Sequence, residues 1–309
     1  MYSKTFVFSE KEEVNTDCLV EEIRFKEDVP RAGNYEIIVE LSGSGEIYIF
    51  TDTGKLVYKQ ELIGKQPVSC ILSLNICDII PKGMSCLYEK RSIDLRIHGK
   101  DLVLNRICLK QVNCPTLYVA GDAGAKCGPE ENGLEWGRML PVYIGKGAAV
   151  SDHMNSGMTM STFLMKGHYA LIQAHVKLGD YLMLQFSRET NRLDDESNEA
   201  YREHLARLIE ETRARGAHPI LLTPIDTSRK EDSLEITRCD AEICRELGRS
   251  FRIPVVDIEC KNEKDVYRLA GLIVREYKRL FPRIKADAYS RLAGLFIERM
   301  DWLDWHEVS

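Results

Sequence analysis

Five residues, Thr116-Leu117-Tyr118-Val119-Ala120, constrain this chain more than any other stretch. They form an unbroken apolar run, long enough for a buried strand and too short for a helix. The run breaks at Gly121-Asp122 into a loop, and the pattern predicts a helix starting near Trp136. In an α/β sheet, the carboxyl end of such a strand is where binding and chemistry gather. Pro115 to Gly137 is therefore the stretch around which the rest is expected to be arranged.

Downstream, strand and helix patterns alternate, which argues for a parallel sheet with helices on its faces. Candidate strands are Ala148–Ser151, Tyr181–Phe186, Pro219–Thr223 and Pro254–Ile258. From Ala200 to Arg215, one side of a helix collects His204, Leu205, Leu208, Ile209 and Thr212. Arg213-Ala214-Arg215-Gly216 fits its end, with glycine as the cap. Asp232 to Phe251 is a second helix, whose early acidic residues suit the helix dipole. A last helix, Ala286 to Trp302, turns Leu292, Leu295, Phe296 and Met300 inward.

Residues 1–112 read differently, as an all-β domain. Tyr35–Leu41 and Gly45–Phe50 are strand-like and separated by a Ser42-Gly43-Ser44-Gly45 turn. Asp52-Thr53-Gly54 before Lys55–Tyr58 is a hairpin signal. Ser69–Ile80, Ile93–Ile97 and Leu102–Val112 follow, with His98-Gly99-Lys100-Asp101 as a turn between the last two. Short strands at this spacing predict a β-sandwich, jelly-roll-like, ahead of an α/β domain over 113–309. A chain of 309 residues has room for both cores.

Composition narrows the partners. A net charge of −6 argues against nucleic acid and anionic membrane, which call for a basic face. No apolar run approaches the roughly 20 residues that span a bilayer. The opening MYSKTFVFSEKEE has no basic segment followed by an apolar core, so no signal peptide is expected. Ten cysteines without a C-x-x-C pair read as buried free thiols, and so as a reduced, cytoplasmic protein. A homo-oligomer or a protein partner remains open.

Three separated phrases, in order, carry a family resemblance. They are Gly121-Asp122 with the helix start Leu134–Pro141, the strand Lys177–Phe186, and Arg215–Pro224. Together they resemble the SGNH (GDSL) hydrolases, most closely the rhamnogalacturonan acetylesterase-like branch. The resemblance implies a three-layer α/β/α sandwich and ester hydrolysis on carbohydrate. That chemistry needs a serine nucleophile, a histidine base, an aspartate to orient it, and oxyanion donors.

Position by position, the resemblance implies loss. The nucleophile position holds Ala123. In the second block Gly157 survives as a backbone donor, while the following arginine is Met158. In the third block the oxyanion asparagine is replaced by Glu189, after Arg188. Counting back from the last helix puts Arg279 at the aspartate and Pro282 at the histidine. No histidine stands between His218 and His306, so a shifted count does not restore the base. One replacement is what an introduced trap would leave; four independent ones read as a natural pseudoenzyme.

Other chemistry finds less support. Ser151, Ser156 and Thr159 are hydroxyls near Gly157, and His153 or His175 could serve as base, yet such residues are more often caps or satisfied core groups. Asp152 and His153 are adjacent and project oppositely from a strand, and no metal-binding or phosphate-loop spacing occurs, so neither metal nor cofactor is expected. Asp194-Asp195-Glu196 reads as a solvated helix start, and Trp302 and Trp305 as a docked tail. The expectation is a non-catalytic homologue whose pocket, at Asp122, Ala123, Gly157, Arg188 and Glu189, binds a carbohydrate-related ligand or a partner protein. A carbohydrate esterase or deacetylase with relocated groups, and a structural subunit without ligand, are the alternatives.

Overall fold

The computed structural model describes residues 2–8, 21–51, 54–62, 66–80, 86–122, 136–144, 146–155, 158–188, 197–224 and 231–257. Among the described residues, six strands precede residue 113: β1 (Ser3–Val7), β2 (Glu21–Asp28), β3 (Gly33–Thr51), β4 (Leu56–Leu62), β5 (Val68–Ile76) and β6 (Ser92–Val112). Every pairing among them is antiparallel. β3 and β6 are long, 19 and 21 residues, and run beside each other. One half of this pair is flanked by β5 and β1, the other by β4 and β2. Ile37, Leu72 and Leu109 from the first half share a core with Ile49, Val57 and Leu95 from the second. The region is thus a sandwich made by bending one long pair over itself.

The expected turns at Ser42–Gly45 and His98–Asp101 are not reversals. They are bends inside β3 and β6, opposite each other, with Ser44 in register with Lys100. The ladder slips there and resumes, so the irregular residues redirect both strands together. Both bends are closely packed at glycine: a Cβ on Gly43 would lie 3.0 Å from the Lys100 carbonyl oxygen, and one on Gly99 2.9 Å from the end of the Leu102 side chain. Asp101 takes φ +52° and Gly45 φ +68°, which sharpens the bends.

After β6 the pairing changes to parallel, beginning with β7 (Thr116–Gly121). β8 (Ala149–Asp152), β9 (Tyr181–Gln185), β10 (His218–Leu222) and β11 (Val255–Val256) follow. With β7 they form a parallel sheet in the order β8-β7-β9-β10-β11. All six residues of β7 are buried, as its apolar run demands. A 3₁₀ turn (Trp136–Met139) leads into α1 (Leu140–Ile144), and α2 (Met160–Met165), α3 (His168–His175), α4 (Asn198–Ala214) and α5 (Glu231–Phe251) complete the helices among the described residues. No described helix is long and apolar enough to cross a membrane. The helix expected over 286–302, with Trp302 and Trp305, lies outside the described residues.

The two regions share one sheet. β5 pairs with β8 in parallel, through Leu74 and Val150. Beside this joint, Asn75 Nδ2 donates to Asn34 Oδ1 at 2.7 Å, and Asn34 Nδ2 donates to Thr116 Oγ1 and the Cys114 carbonyl oxygen, both at 2.9 Å. A second core, with Phe163, Ile172, Leu184, Leu208 and Leu247, lies against the parallel sheet. α4 buries Tyr201, Leu205, Leu208, Ile209 and Thr212: the last four belong to the predicted face, while His204 is only partly buried and Tyr201, one turn before Leu205, takes the inward place. Ser197 Oγ accepts from Ala200 N at 3.1 Å to start α4, and Gly216, at φ +71°, follows its end.

Candidate functional site

The carboxyl end of β7 is built by close approach. A Cβ on Gly121 would fall 2.2 Å from the Gln185 carbonyl oxygen, so only glycine lets β9 come this near. Asp122, 5% exposed, closes the turn. Its backbone N–H donates to the Gln185 carbonyl oxygen at 3.2 Å, and its Oδ2 accepts from the Ser187 N–H at 2.9 Å and from the Ser187 hydroxyl. A carboxylate holding both donors of one residue fixes the ends of β7 and β9 together. On the other side, the Asn155 N–H donates to the Gly121 carbonyl oxygen at 3.0 Å and the His153 N–H to the Val119 carbonyl oxygen at 2.8 Å. The segment that leads to Gly157 is thereby brought alongside Asp122 as far as Asn155.

The side chain of Arg188, one of the expected pocket residues, is held by the scaffold. Its guanidinium donates from Nε to Asp240 Oδ1 at 2.6 Å, with Nη2 at 2.5 Å from the same oxygen, and its backbone N–H donates to Oδ2 at 2.9 Å. The guanidinium also lies 5.4 Å from the ring centre of Tyr201, whose hydroxyl donates to the Phe186 carbonyl oxygen at 2.7 Å. Burial keeps that phenol protonated far above the ordinary tyrosine range. The guanidinium thus ties the end of β9 to α5 through charge that already has its partner.

Two of the relocated-triad candidates do meet. Ser151 and His153 lie on one face of the strand end, two residues apart, with Oγ and Nε2 at 2.9 Å. Cys77 Sγ is 3.3 Å from the same hydroxyl. Both members of the pair are interior, Ser151 wholly and His153 at 8% exposure. Among the described residues no carboxylate pairs with the imidazole. Burial first, then the positive charges of Lys55, His168 and His175, pushes His153 down to about 3. The ring is neutral at pH 7 but a very weak base, sealed from solvent.

That shift carries a pH prediction. An unfolded histidine titrates near 6.5, so the neutral folded ring contributes fully above that pH and loses its contribution as pH falls toward 3. Between pH 6.5 and 4.5 this corresponds to about 2–3 kcal/mol. Urea unfolding at pH 7 and 4.5 is expected to show a smaller acid loss in His153→Gln than in the wild type. Equal acid losses in the two proteins would contradict a buried neutral ring.

The remaining candidates behave as structural groups. Thr159 Oγ1 accepts from the Thr162 N–H at 3.2 Å and caps α2. Met158 packs into the core beneath the sheet end. His175 Nε2 stands 3.9 Å from Asp78 Oδ2. Asp152 Oδ1 accepts from the Met154 N–H at 3.0 Å, and burial raises its carboxyl above the usual range. The described residues hold no group of three or more metal-ligating side chains. Ala123, Ser156, Gly157, Glu189, Asp194, Asp195, Glu196, Arg279, Pro282 and His306 lie outside the described residues.

One pair at the site went unread in the sequence. Trp136, fully buried, donates from Nε1 to Gln185 Oε1 at 3.0 Å. The signal was a lone amide ending the apolar strand Tyr181–Gln185, together with an indole at a helix start.

Several known proteins are similar to this chain. Rhamnogalacturonan acetylesterase RhgT of Bacillus subtilis (strain 168) is 26% identical over 171 residues, covering 53% of this chain and 72% of that one. The uncharacterized esterase YxiM of the same organism is 33% identical over 129 residues, 40% of this chain and 34% of its own. The probable rhamnogalacturonan acetylesterase YesY is 27% identical over 115 residues, 35% and 53%. The chain therefore spans about a third of YxiM and half of YesY in these alignments. Among solved structures, YxiM superposes with a TM-score of 0.43 at 21% identity, over 90% of this chain and 80% of that one. Axe2, an acetylxylan esterase from Geobacillus stearothermophilus, gives 0.42 at 14% identity, over 53% and 94%. No protein-family profile matches the chain.

Proposed function

Because the chain is a homologue of the SGNH-family carbohydrate esterases, we propose that it keeps their cleft without their chemistry, as a natural pseudoenzyme that binds a carbohydrate-related ligand. One observation carries the reading. Asp122 is locked onto Ser187, so the ends of β7 and β9 are held together, and the next residue is Ala123. A methyl group has no lone pair with which to attack a carbonyl. Glu189 adds to the loss, since a negative charge where an oxyanion donor belongs raises the barrier. Removal of one good donor alone costs about 2.7–4 kcal/mol of transition-state stabilisation.

The Ser151–His153 hydrogen bond favours a second reading, an esterase with relocated groups. Burial of both groups and the depressed basicity of the ring weigh against it. Two assays separate the readings. The pure protein is expected to leave p-nitrophenyl acetate at the buffer rate, and its melting temperature to rise with one class in a sugar panel. Turnover abolished by Ser151→Ala would establish the esterase instead. A panel that leaves the melting temperature unmoved would favour a structural subunit.

A further inference from the structure

On the outer face of the N-terminal sandwich two arginines stand opposite each other. Arg24 of β2 is in register with Arg96 of β6, and Arg96 with Phe50 of β3. Residues paired in this way have Cβ atoms about 4.5–5.5 Å apart, and like charges there repel. The surrounding charges are already engaged with one another. Asp94 accepts from the Ser92 hydroxyl at 2.6 Å and stands 3.9 Å from Lys26, and Lys59 stands 3.1 Å from Glu46. Glu22 takes only Nε of Arg24, whose side chain is 77% exposed. Among the described residues no carboxylate lies within ion-pair distance of Arg96. Its Nη2 donates to the Thr51 carbonyl oxygen at 3.4 Å, and its Nε has no partner. Rings continue the row: Tyr48 and Phe50 lie 6.3 Å apart with planes 19° from parallel, and His98 meets Phe50 edge-on at 5.7 Å. Arg96, His98, Tyr48 and Phe50 each keep part of their surface open to solvent.

We propose that the Arg24–Arg96 pair, with Phe50 beside it, binds a phosphate monoester whose organic part is a flat ring. An oxyanion between two guanidiniums turns a repulsion into charge-assisted hydrogen bonds, for which the planar arginine fork is suited. Two positive charges side by side favour a dianion over a single carboxylate. A flat ring on the ester reaches Phe50, the next residue in the row, where aromatic contact adds to the binding of the anion. This face belongs to β2, β3 and β6, so the proposal is independent of the cleft at the end of β7.

The test titrates the full chain with inorganic phosphate, phenyl phosphate and adenosine 5′-monophosphate at constant ionic strength, read by calorimetry and by melting temperature. Both esters are expected to bind, and to bind more tightly than inorganic phosphate. Arg96→Gln is expected to weaken them by about tenfold or more. Phe50→Leu is expected to bring them down to the level of inorganic phosphate. Arg24→Gln alters an exposed side chain and keeps the test decisive if Arg96→Gln does not fold. Without ligand it is expected to melt no lower than the wild type, because the repulsion leaves with the charge, and the esters are expected no longer to raise its melting temperature. The tighter of the two esters tells whether the ring sits directly on the phosphate or is carried through a sugar. Absence of ester binding, or binding unchanged in a folded arginine variant, overturns the proposal. Equal affinities for inorganic phosphate and both esters overturn the part assigned to Phe50.

Discussion

Replacing Asp240 by alanine is expected to lower the free energy of unfolding by about 3–5 kcal/mol. Asp240 is wholly buried, and its two oxygens receive the Arg188 backbone N–H, Nε and Nη2. The Arg188 side chain is itself only 12% exposed. Without the carboxylate, a guanidinium stays in the interior with its donors facing a methyl group and too little water to compensate. The loss comes from abandoning a charge that the fold has already desolvated. Arg188→Ala strands the opposite charge, so the double variant is expected to lose less than the two single losses added together. Urea unfolding of the four proteins measures this coupling. Additive losses, or a cost for Asp240→Ala below about 1 kcal/mol, would show that the pair does not hold the end of β9 to α5.

Trp136→Ala is expected to cost about 3–5 kcal/mol, the range for emptying a large aromatic from a core. The indole is 0% exposed, and the turn that carries it is tightly seated: a Cβ on neighbouring Gly137 would lie 2.7 Å from Met154 Sδ and 3.0 Å from Asp152 Oδ1. The site therefore has little freedom to collapse into the void. Trp136→Phe isolates the other component, because it keeps most of the ring and removes the donor to Gln185 Oε1. Its cost is expected near 1–3 kcal/mol, the range for leaving a buried acceptor unpaired. Equal stability of the phenylalanine variant and the wild type would mean that Gln185 finds another donor, and the amide would not be fixed as described.

These two residues also show where sequence reasoning reached and where it stopped. The apolar run of β7 was legible because burial on both faces makes Leu117, Tyr118, Val119 and Ala120 consecutive core residues. The inward face of α4 was legible because Leu205, Leu208, Ile209 and Thr212 recur with the helical period. Ser42–Gly45 and His98–Asp101 were misread because the same small and polar residues serve a reversal and a bend. Only the partner strand decides between the two, and here the partner bends at the same place. The Arg188–Asp240 tie joins residues 52 apart, with no local pattern to announce it. Ser151 and His153 have the two-residue spacing of one strand face, which the sequence displays. The burial that makes that imidazole a poor base is a property of the packed molecule. Among the expected site residues, the structure places Asp122 just after β7, held to Ser187, and Arg188 just after β9, held to Asp240 of α5.

The central claim is that a hydrolase scaffold is present here and its acyl-transfer groups are not. It is tested most directly by acetate release from acetylated pectic oligosaccharides, with the wild type and Ala123→Ser run side by side against buffer. The account predicts no release above buffer from either protein, because on the proposed reading a restored hydroxyl at position 123 would still lack a base and the oxyanion asparagine. Release by the wild type would contradict the claim outright. Release by Ala123→Ser alone would show that the rest of the catalytic machinery had been in place all along.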